Sequence, residues 1–533
     1  MNPRTRLLLQ LALILAVCAF MFFFGLGAFG LVGADEPRYA QIAREMLHRH
    51  DWIVPTLNGQ PWLEKPVLLY WKDMVSYSIF GVTDWAARVP SAMHATVLVL
   101  AVFFFMRRFR PGAELDTALV TVSCFGVIGF ARGASTDMLL AAPFCMAMLA
   151  WWAWHETGRK LWLAAFYALL AVGTLAKGPV APALAVLIVG VYALVRRDGK
   201  IFWRSIWWLG IVIFLVIALP WYIAVQIKVP EFFRVFFIEH NLERFGTNLY
   251  QHKQPFWFYI PVFALGVLPW TVFSLSALVK SIRESIQVFR NRVAENEAPD
   301  WLEIFLLLWI LIPIIFFSIS RSKLPGYILP AVPPAAVLTA SYLHRSAKAL
   351  SRWRIIVHAI LCGAIIGGAL FAPWRMLRQH PPLKVELWAV VTAITVTLIV
   401  LLLVFQKGLR ALHFVTLVPV VLAIGFLLRP SAGILDQVTS ARVVNAQLES
   451  FGIPAPSLAV FNVKREVEYG LNFYRNHPIN RYERDGVPPR NHVVIAKEGS
   501  EDAVKALVGD RTVRRIGGLP PQHLEYFLVS KTR

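Results

Sequence analysis

Charged side chains are scarce in this chain, and several of them fall where a reaction centre could use them. Gly33-Ala34-Asp35-Glu36-Pro37-Arg38-Tyr39 follows directly on a long apolar run. An acidic pair at a membrane boundary must be solvated, paired or metal-bound, because burying a lone carboxylate is costly. Pro37 suits the first turn of a helix, with Asp35 or Glu36 at its cap. Capping alone accounts for such an acid, and capping and catalysis are compatible. Farther on, Glu64 and Lys65 stand among Trp62, Tyr70 and Trp71, either as a surface pair or as a site that offers Lys65 to a lipid phosphate. Arg132 and Asp137 flank a short turn, Lys177-Gly178-Pro179 makes another, and Arg321-Ser322-Lys323-Leu324-Pro325-Gly326-Tyr327 makes a third. Glu239-His240-Asn241-Leu242-Glu243-Arg244-Phe245 and His252-Lys253 fall in a longer loop.

The elements that must position these residues are apolar helices. A spanning helix needs about 20 mostly apolar residues. Thirteen such runs are readable, near 8–31, 85–106, 115–132, 137–154, 161–176, 179–195, 206–227, 256–278, 302–318, 327–343, 355–374, 385–405 and 412–428. With the N-terminus inside, the inner loops carry Arg107/Arg108/Arg110, Arg159/Lys160, Arg196/Arg197/Lys200/Arg204, Lys280/Arg283/Arg290/Arg292, Arg345/Lys348/Arg352/Arg354 and Lys407/Arg410. All are short and basic, as the positive-inside rule requires. The first run is too long for a typical signal-peptide core and lacks a clean cleavage site, so it reads as a retained anchor. The acids and bases named above then gather on the outer side, where positive-inside statistics do not ask for basic residues.

Within the first outer loop, Tyr39, Ile42, Ala43, Met46 and Leu47 form one apolar stripe opposite a charged face, the pattern of a helix lying along the interface. After about residue 428 the composition turns polar. Strand-like runs at Ser457–Asn462, His492–Ala496 and Leu524–Ser530, and a helical stretch at Glu466–Arg475 weakened by Gly470, read as a small outer α/β domain. The expected plan is an all-α polytopic membrane domain over 1–428 and an α/β domain over 429–533.

Composition supports this and removes other classes. Of 533 residues 57% are hydrophobic and 16% charged, against about 25% charged in soluble domains. The four cysteines, Cys18, Cys124, Cys145 and Cys362, all sit in apolar runs and read as small buried hydrophobes. The net charge of +21 is absorbed by topology and anionic headgroups rather than nucleic acid, for which no motif is present. A transporter would place charges near the midplane on broken helices; here the cores of the runs are nearly free of charge. No Gly-rich phosphate loop points to a nucleotide-sugar donor.

One job needs this set of residues. A phosphate-linked lipid carries its charge at the headgroup plane and its tail in the bilayer. Lys and Arg neutralise and orient phosphate. Carboxylates steer a sugar or stabilise positive character at its anomeric carbon.

The strings Asp35-Glu36-Pro37-Arg38-Tyr39, Pro55-Thr56-Leu57-Asn58-Gly59, Leu63-Glu64-Lys65-Pro66, Ala176-Lys177-Gly178-Pro179, Glu239-His240-Asn241…Arg244-Phe245 and Ser320–Tyr327 resemble those of the lipid A aminoarabinose transferases. That family belongs to the GT-C class of integral-membrane glycosyltransferases, with the protein O-mannosyltransferases. The resemblance covers about 8–345 and weakens toward the tail. It implies transfer of 4-amino-4-deoxy-L-arabinose from undecaprenyl phosphate to a lipid A phosphate, on the periplasmic face of a bacterial inner membrane, by a monomer; the alternative is a related enzyme that takes its sugar from a polyprenyl phosphate and acts on another glycan or on protein. The lost negative charge would weaken binding of polymyxin and other cationic antimicrobial peptides. Carried over, Asp35 serves the reaction centre with Glu36 beside it, orienting the acceptor or the donor's amino sugar, and Asp137 is a second acid. Arg38, Lys65, Lys177, Arg321 and Lys323 are expected to bind phosphate or lipid, and Tyr327 a phosphate or the sugar. No cofactor is required. A divalent metal such as zinc on Glu64 and His240 is the alternative to a hydrogen-bonded interface histidine, and two ligands are too few for a closed zinc site.

Overall fold

The computed structural model describes residues 2–243, 254–291, 299–345, 351–377, 380–408, 411–428 and 431–531. Among these, nine helices are long and apolar enough to cross a membrane, from Pro3–Phe23 to Leu383–Lys407, and a pair bent by 62°, Glu114–Ser123 with Phe125–Ala131, makes a broken crossing. Three shorter apolar helices, Val180–Val195, Phe256–Gly266 and Leu412–Phe426, occupy the other apolar runs read in the sequence. The run expected as one helix at 256–278 is divided. Its first helix ends at Gly266 and the next, Thr271–Asn291, begins beyond Pro269, whose ring and missing N–H interrupt the ladder. The chain is a multi-pass membrane protein, mostly helical, with a small sheet near its C-terminus.

The helix ends on one side are tied together by charge. Asp300 caps the Trp301–Ile319 helix, accepts from Arg110 Nη2 at 2.7 and 2.8 Å and pairs with Arg345. Arg345 also reaches Glu303 at 2.9 Å. Three helices, Asp84–Phe109, Trp301–Ile319 and Val332–Arg345, are thereby joined where their own dipoles leave unsatisfied ends.

On the opposite side the chain builds a platform. The Asp35–His48 helix buries Tyr39, Ile42, Ala43 and Met46, the stripe read in the sequence. It is followed by a two-stranded hairpin, β1 (Thr56–Leu57) and β2 (Gln60–Pro61). Asn58 and Gly59 turn it with φ of 55° and 77°, the left-handed pair that favours Asn-Gly. Glu45 anchors the hairpin to the helix: its carboxylate accepts from Thr56 Oγ1 and the Asn58 N–H, both at 2.8 Å, and from the Gly59 N–H at 3.1 Å.

The C-terminal domain carries a five-stranded sheet, β3 (Leu458–Phe461), β4 (Asn480–Arg481), β5 (His492–Lys497), β6 (Thr512–Leu519) and β7 (Leu524–Ser530). Its order is β4-β3-β5-β7-β6, with β4, β3 and β5 parallel and the rest antiparallel. The Arg465–Arg475 helix crosses from β3 to β4. Gly470 lets the Ala441–Ser450 helix approach it so closely that a Cβ would stand 2.4 Å from the Ala441 Cβ. The glycine that weakened the helix in the sequence is what its packing requires.

This domain is seated on the platform, and here the structure departs from the expected interfacial helix. The polar face of the Asp35–His48 helix is not left to lipid and water: Arg38 and Gln41 are buried as well, because the Arg465–Arg475 helix packs along it. Arg44 Nη1 donates to the Phe473 carbonyl at 2.9 Å. Asp84 accepts from Arg442 at 3.1 Å and from the Tyr474 hydroxyl at 2.9 Å. Arg442 also donates to the carbonyls of Gly27 and Ala28 and, at 2.8 Å, to Asp436. Asp436 in turn accepts from the Gly30 N–H at 2.6 Å.

Candidate active site

Asp35 and Asp137 each stand in the first turn of a helix, Asp35–His48 and Thr136–Thr157, where exposed N–H groups and the helix dipole favour negative charge. Asp35 keeps 59% of its side chain exposed and accepts from Arg38 Nη2 at 2.5 Å. The Arg38 guanidinium lies over three rings, Trp62 at 4.9 Å, Tyr39 at 5.1 Å and Tyr469 at 5.7 Å. Glu64 approaches it at 4.0 Å. Burial by itself would lower the Arg38 pKa, but Tyr39, Asp35 and Glu64 outweigh it and hold the group above its ordinary value. Its Nε is buried without a hydrogen-bond partner. The result is a fixed, fully charged fork beside an exposed carboxylate.

Glu36 does something else. Its side chain is 12% exposed. It accepts from Arg88 Nε at 3.1 Å and Nη2 at 2.7 Å, and from the N–H groups of Val32 at 2.8 Å and Ala134 at 2.7 Å. All four bonds are used in holding three segments together. Glu36, expected beside the reaction, is a brace: it ties the Asp35 turn to the 132–135 loop that leads into the Asp137 helix. Arg88 completes the brace by donating to the carbonyls of Leu26 at 2.6 Å, Phe29 at 2.9 Å and Gly30 at 2.8 Å. Sequence reading passed over Arg88, although an arginine inside an apolar run is itself a signal.

The second acid has a second cation. Asp137 is ion-paired with Lys177, whose ammonium lies 4.8 Å from the centre of the Tyr327 ring. Gly326 lies against this pair: a Cβ there would be 2.5 Å from the Asp137 carboxyl carbon. The tertiary structure thus brings Asp137, Lys177 and Tyr327 together from three distant stretches. Lys65 follows Glu64 in the chain and is half-buried. Arg321 is exposed. Lys323 departs from expectation: it is 6% exposed and its ammonium donates to the Ser320 carbonyl of its own turn. It stabilises that loop instead of presenting charge.

For the metal, Glu64 faces Arg38, and among the described residues no three His, Cys, Asp or Glu side chains come together as a donor set. The His240 side chain, like Arg244, Phe245, His252 and Lys253, lies outside the described residues.

Between the end of the Lys160–Lys177 helix and the Trp208–Lys228 helix opens an apolar cavity of about 550 Å³. Thr174, Pro179 and Pro182 form one wall, Ala218 and Tyr222 another, and Phe232 and Phe237 a third. Cation and apolar cleft together suit a charged headgroup with a hydrocarbon tail. Tyr469, contributed by the C-terminal domain, is the other residue sequence reading missed; no local pattern marks it.

Comparison with known proteins bears on the sequence and the fold. Residues 7–237 match the family model of the dolichyl-phosphate-mannose-protein mannosyltransferases. An undecaprenyl phosphate-alpha-4-amino-4-deoxy-L-arabinose arabinosyl transferase of Edwardsiella ictaluri is 32% identical over 361 residues, 65% of this chain and 62% of that protein. The transferase of the same name from Serratia proteamaculans is 35% identical over 62% of this chain and 58% of its own length. The chain therefore spans about three fifths of the curated relatives it matches. The crystal structure of ArnT from Cupriavidus metallidurans bound to undecaprenyl phosphate superposes over 100% of both chains with a TM-score of 0.75 and 23% identity; the apo form gives 0.77. The chain is thus similar in sequence to these membrane-embedded transferases over about two thirds of its length, and it shares the fold of ArnT over the whole of it.

Proposed function

We propose that this protein transfers 4-amino-4-deoxy-L-arabinose from undecaprenyl phosphate to a lipid A phosphate at the periplasmic face of a bacterial inner membrane, acting as a monomer. The observation that carries the reading is the exposed Asp35 beside the buried Arg38, tied through Glu36 to the loop before the Asp137–Lys177–Tyr327 cluster, together with an apolar cleft against the helix that Lys177 ends. In the reaction, an oxygen of the acceptor phosphate forms a bond to the anomeric carbon as that carbon's bond to the donor phosphate oxygen breaks. The electron pair leaves with undecaprenyl phosphate. The acceptor is already an anion, so no strong general base is needed. Arg38, Lys65 and Lys177 serve the phosphates, as charge-assisted donors do elsewhere, and Arg321 lies exposed at the rim. Asp35 orients the acceptor or the amino sugar and stabilises positive character at the anomeric carbon. The apolar cleft takes part of the polyprenyl chain.

The test is mass spectrometry of lipid A from a strain that lacks its own transferase but makes the lipid-linked aminoarabinose. Wild-type protein should give an aminoarabinose-sized adduct and Asp35→Ala none. Well-inserted wild-type protein that yields no adduct would overturn the acceptor and sugar assignments.

A further inference from the structure

The C-terminal domain has a crevice of its own that the reaction centre does not use. The chain leaves β3 through the Arg465–Arg475 helix to β4 on one side of it, then returns as β5 on the other side. At such a reversal of strand order, the carboxyl ends of the parallel strands part and leave a ready binding crevice. Here the crevice holds about 540 Å³, within the range of small-molecule sites. Asn462 and Lys464 line it after β3, Lys497 at the end of β5 and His523 before β7. Its lower edge belongs to the membrane domain: Met376 closes an apolar crossing helix, Arg352–Met376.

The charges around it are mixed, two lysines and one carboxylate among the lining residues. Lys464, Lys497 and His523 line the crevice against the single carboxylate Glu466. Lys464 meets Glu466 at 3.3 Å in an exposed pair, and His523 Nδ1 lies 3.0 Å from Glu498. Two lysines among the apolar side chains of Met376, Val438, Val463 and Val467 suit a ligand that is anionic and hydroxylated at one end and attached to hydrocarbon at the other. The Arg465–Arg475 helix links this crevice to the reaction centre. Glu466 and Val467 line the crevice, and Tyr469 on the same helix lies over Arg38. Three residues of helix span only about 4.5 Å along the axis.

We propose that this crevice is a second binding site, which holds the phosphorylated saccharide headgroup of the membrane-embedded acceptor while its far phosphate is presented at Asp35 and Arg38. The proposal rests on the transfer reading above. Its determinants are Lys464 and Lys497 for the anion and Asn462, Glu466 and His523 for hydroxyl groups. The C-terminal domain then selects the acceptor, and the membrane domain holds the donor.

The experiment uses the full chain in nanodiscs, with donor and acceptor varied separately. Reversing both lysines, Lys464→Glu with Lys497→Glu, should raise the acceptor KM about ten-fold, as expected for lost charge-assisted contacts. The donor KM and kcat should hold, and the double arginine variant should restore the acceptor KM. A binding arm uses phosphatidylcholine vesicles doped with an acylated disaccharide bisphosphate, or with phosphatidylglycerol, and free glucosamine 1-phosphate. Wild type should prefer the disaccharide vesicles and the reversed variant should lose that preference. An unchanged acceptor KM, or a fall in kcat alone, would overturn the proposal. Equal binding of phosphatidylglycerol would reduce the crevice to non-specific charge, and glucosamine 1-phosphate binding as tightly as the lipid would assign it a soluble ligand; either result also overturns it. If wild type transfers no sugar at all, the transfer reading fails, and the vesicle arm still decides whether the crevice binds the headgroup.

Discussion

Two adjacent carboxylates, identical in chemistry, are given different work by their surroundings. Asp35 is exposed and pairs with Arg38; Glu36 is enclosed by Arg88 and two backbone N–H groups. Asp35→Asn should therefore cost activity and not stability: a loss of about 10²–10³ in transfer rate, on the order of 2–4 kcal/mol of transition-state stabilisation, with the thermal midpoint of the purified protein unchanged. Glu36→Gln should do the opposite first. It leaves Arg88 buried without its counter-charge, a change that costs about 3–5 kcal/mol where a buried pair is broken. The expected result is a lowered midpoint and poor recovery from the membrane. Equal effects of the two substitutions on stability would contradict this division of labour.

At the scale of elements, precision comes from close approach. The turn that carries Tyr327 is held against the Thr136–Thr157 helix because position 326 has no side chain. Gly326→Ala puts a methyl group onto the Asp137 carboxylate and must displace the Asp137–Lys177 pair. The transfer rate should fall between about ten- and a hundred-fold, since small displacements of positioning groups carry such costs; an alanine enzyme with full activity would remove the Asp137 cluster from the site. The sheet of the C-terminal domain supplies a pH dependence. His492 on β5 is buried, donates from Nδ1 to the Arg490 carbonyl at 2.7 Å and takes the Tyr482 hydroxyl at Nε2. Burial, and secondarily Arg511, lowers its pKa below the ordinary 6.5 despite the Arg490 carbonyl. The unfolded chain thus takes up the proton first as pH falls. Stability from this group is complete above about pH 6.5 and declines below it. Thermal midpoints measured from about pH 7.5 to about pH 5.5 should fall less steeply in His492→Asn than in wild type.

At the scale of the molecule, Arg442 is the residue with the most ties between the two parts. Arg442 reaches Asp84, Asp436 and two carbonyls of the chain that follows the first membrane helix. Arg442→Ala leaves both carboxylates short of a partner and should loosen the seat of the C-terminal domain. Hydrogen exchange at residues 27–32 and in the Ala432–Thr439 helix should quicken about ten-fold or more, while the Asp300 cluster on the far side stays protected. Transfer should fall along with docking, because Tyr469 reaches Arg38 only from the seated domain.

The apolar runs, the basic loops between them, the amphipathic helix after the first crossing and the polar tail were all legible in the residues, because hydrophobic length and period are local properties of the chain. So were the reactive types: Asp35, Asp137 and Lys177 stand out as charges at the ends of apolar segments. The edge strand β6 was not legible, since Arg514, Arg515, Gly517 and Gly518 break its alternation and pairing with β7 alone makes it a strand. Nor was the bracing of Glu36 by Arg88, nor the inward turn of Lys323, nor the contribution of Tyr469. Each of these depends on partners far away in the chain, such as Arg88, Ala134 and the docked C-terminal helix. Sequence determined which side chains sit at the membrane surface, through transfer free energies that act residue by residue. Only the tertiary structure decided which of them are neutralised by partners and which remain open to a substrate, because burial and pairing are properties of the assembled neighbourhood.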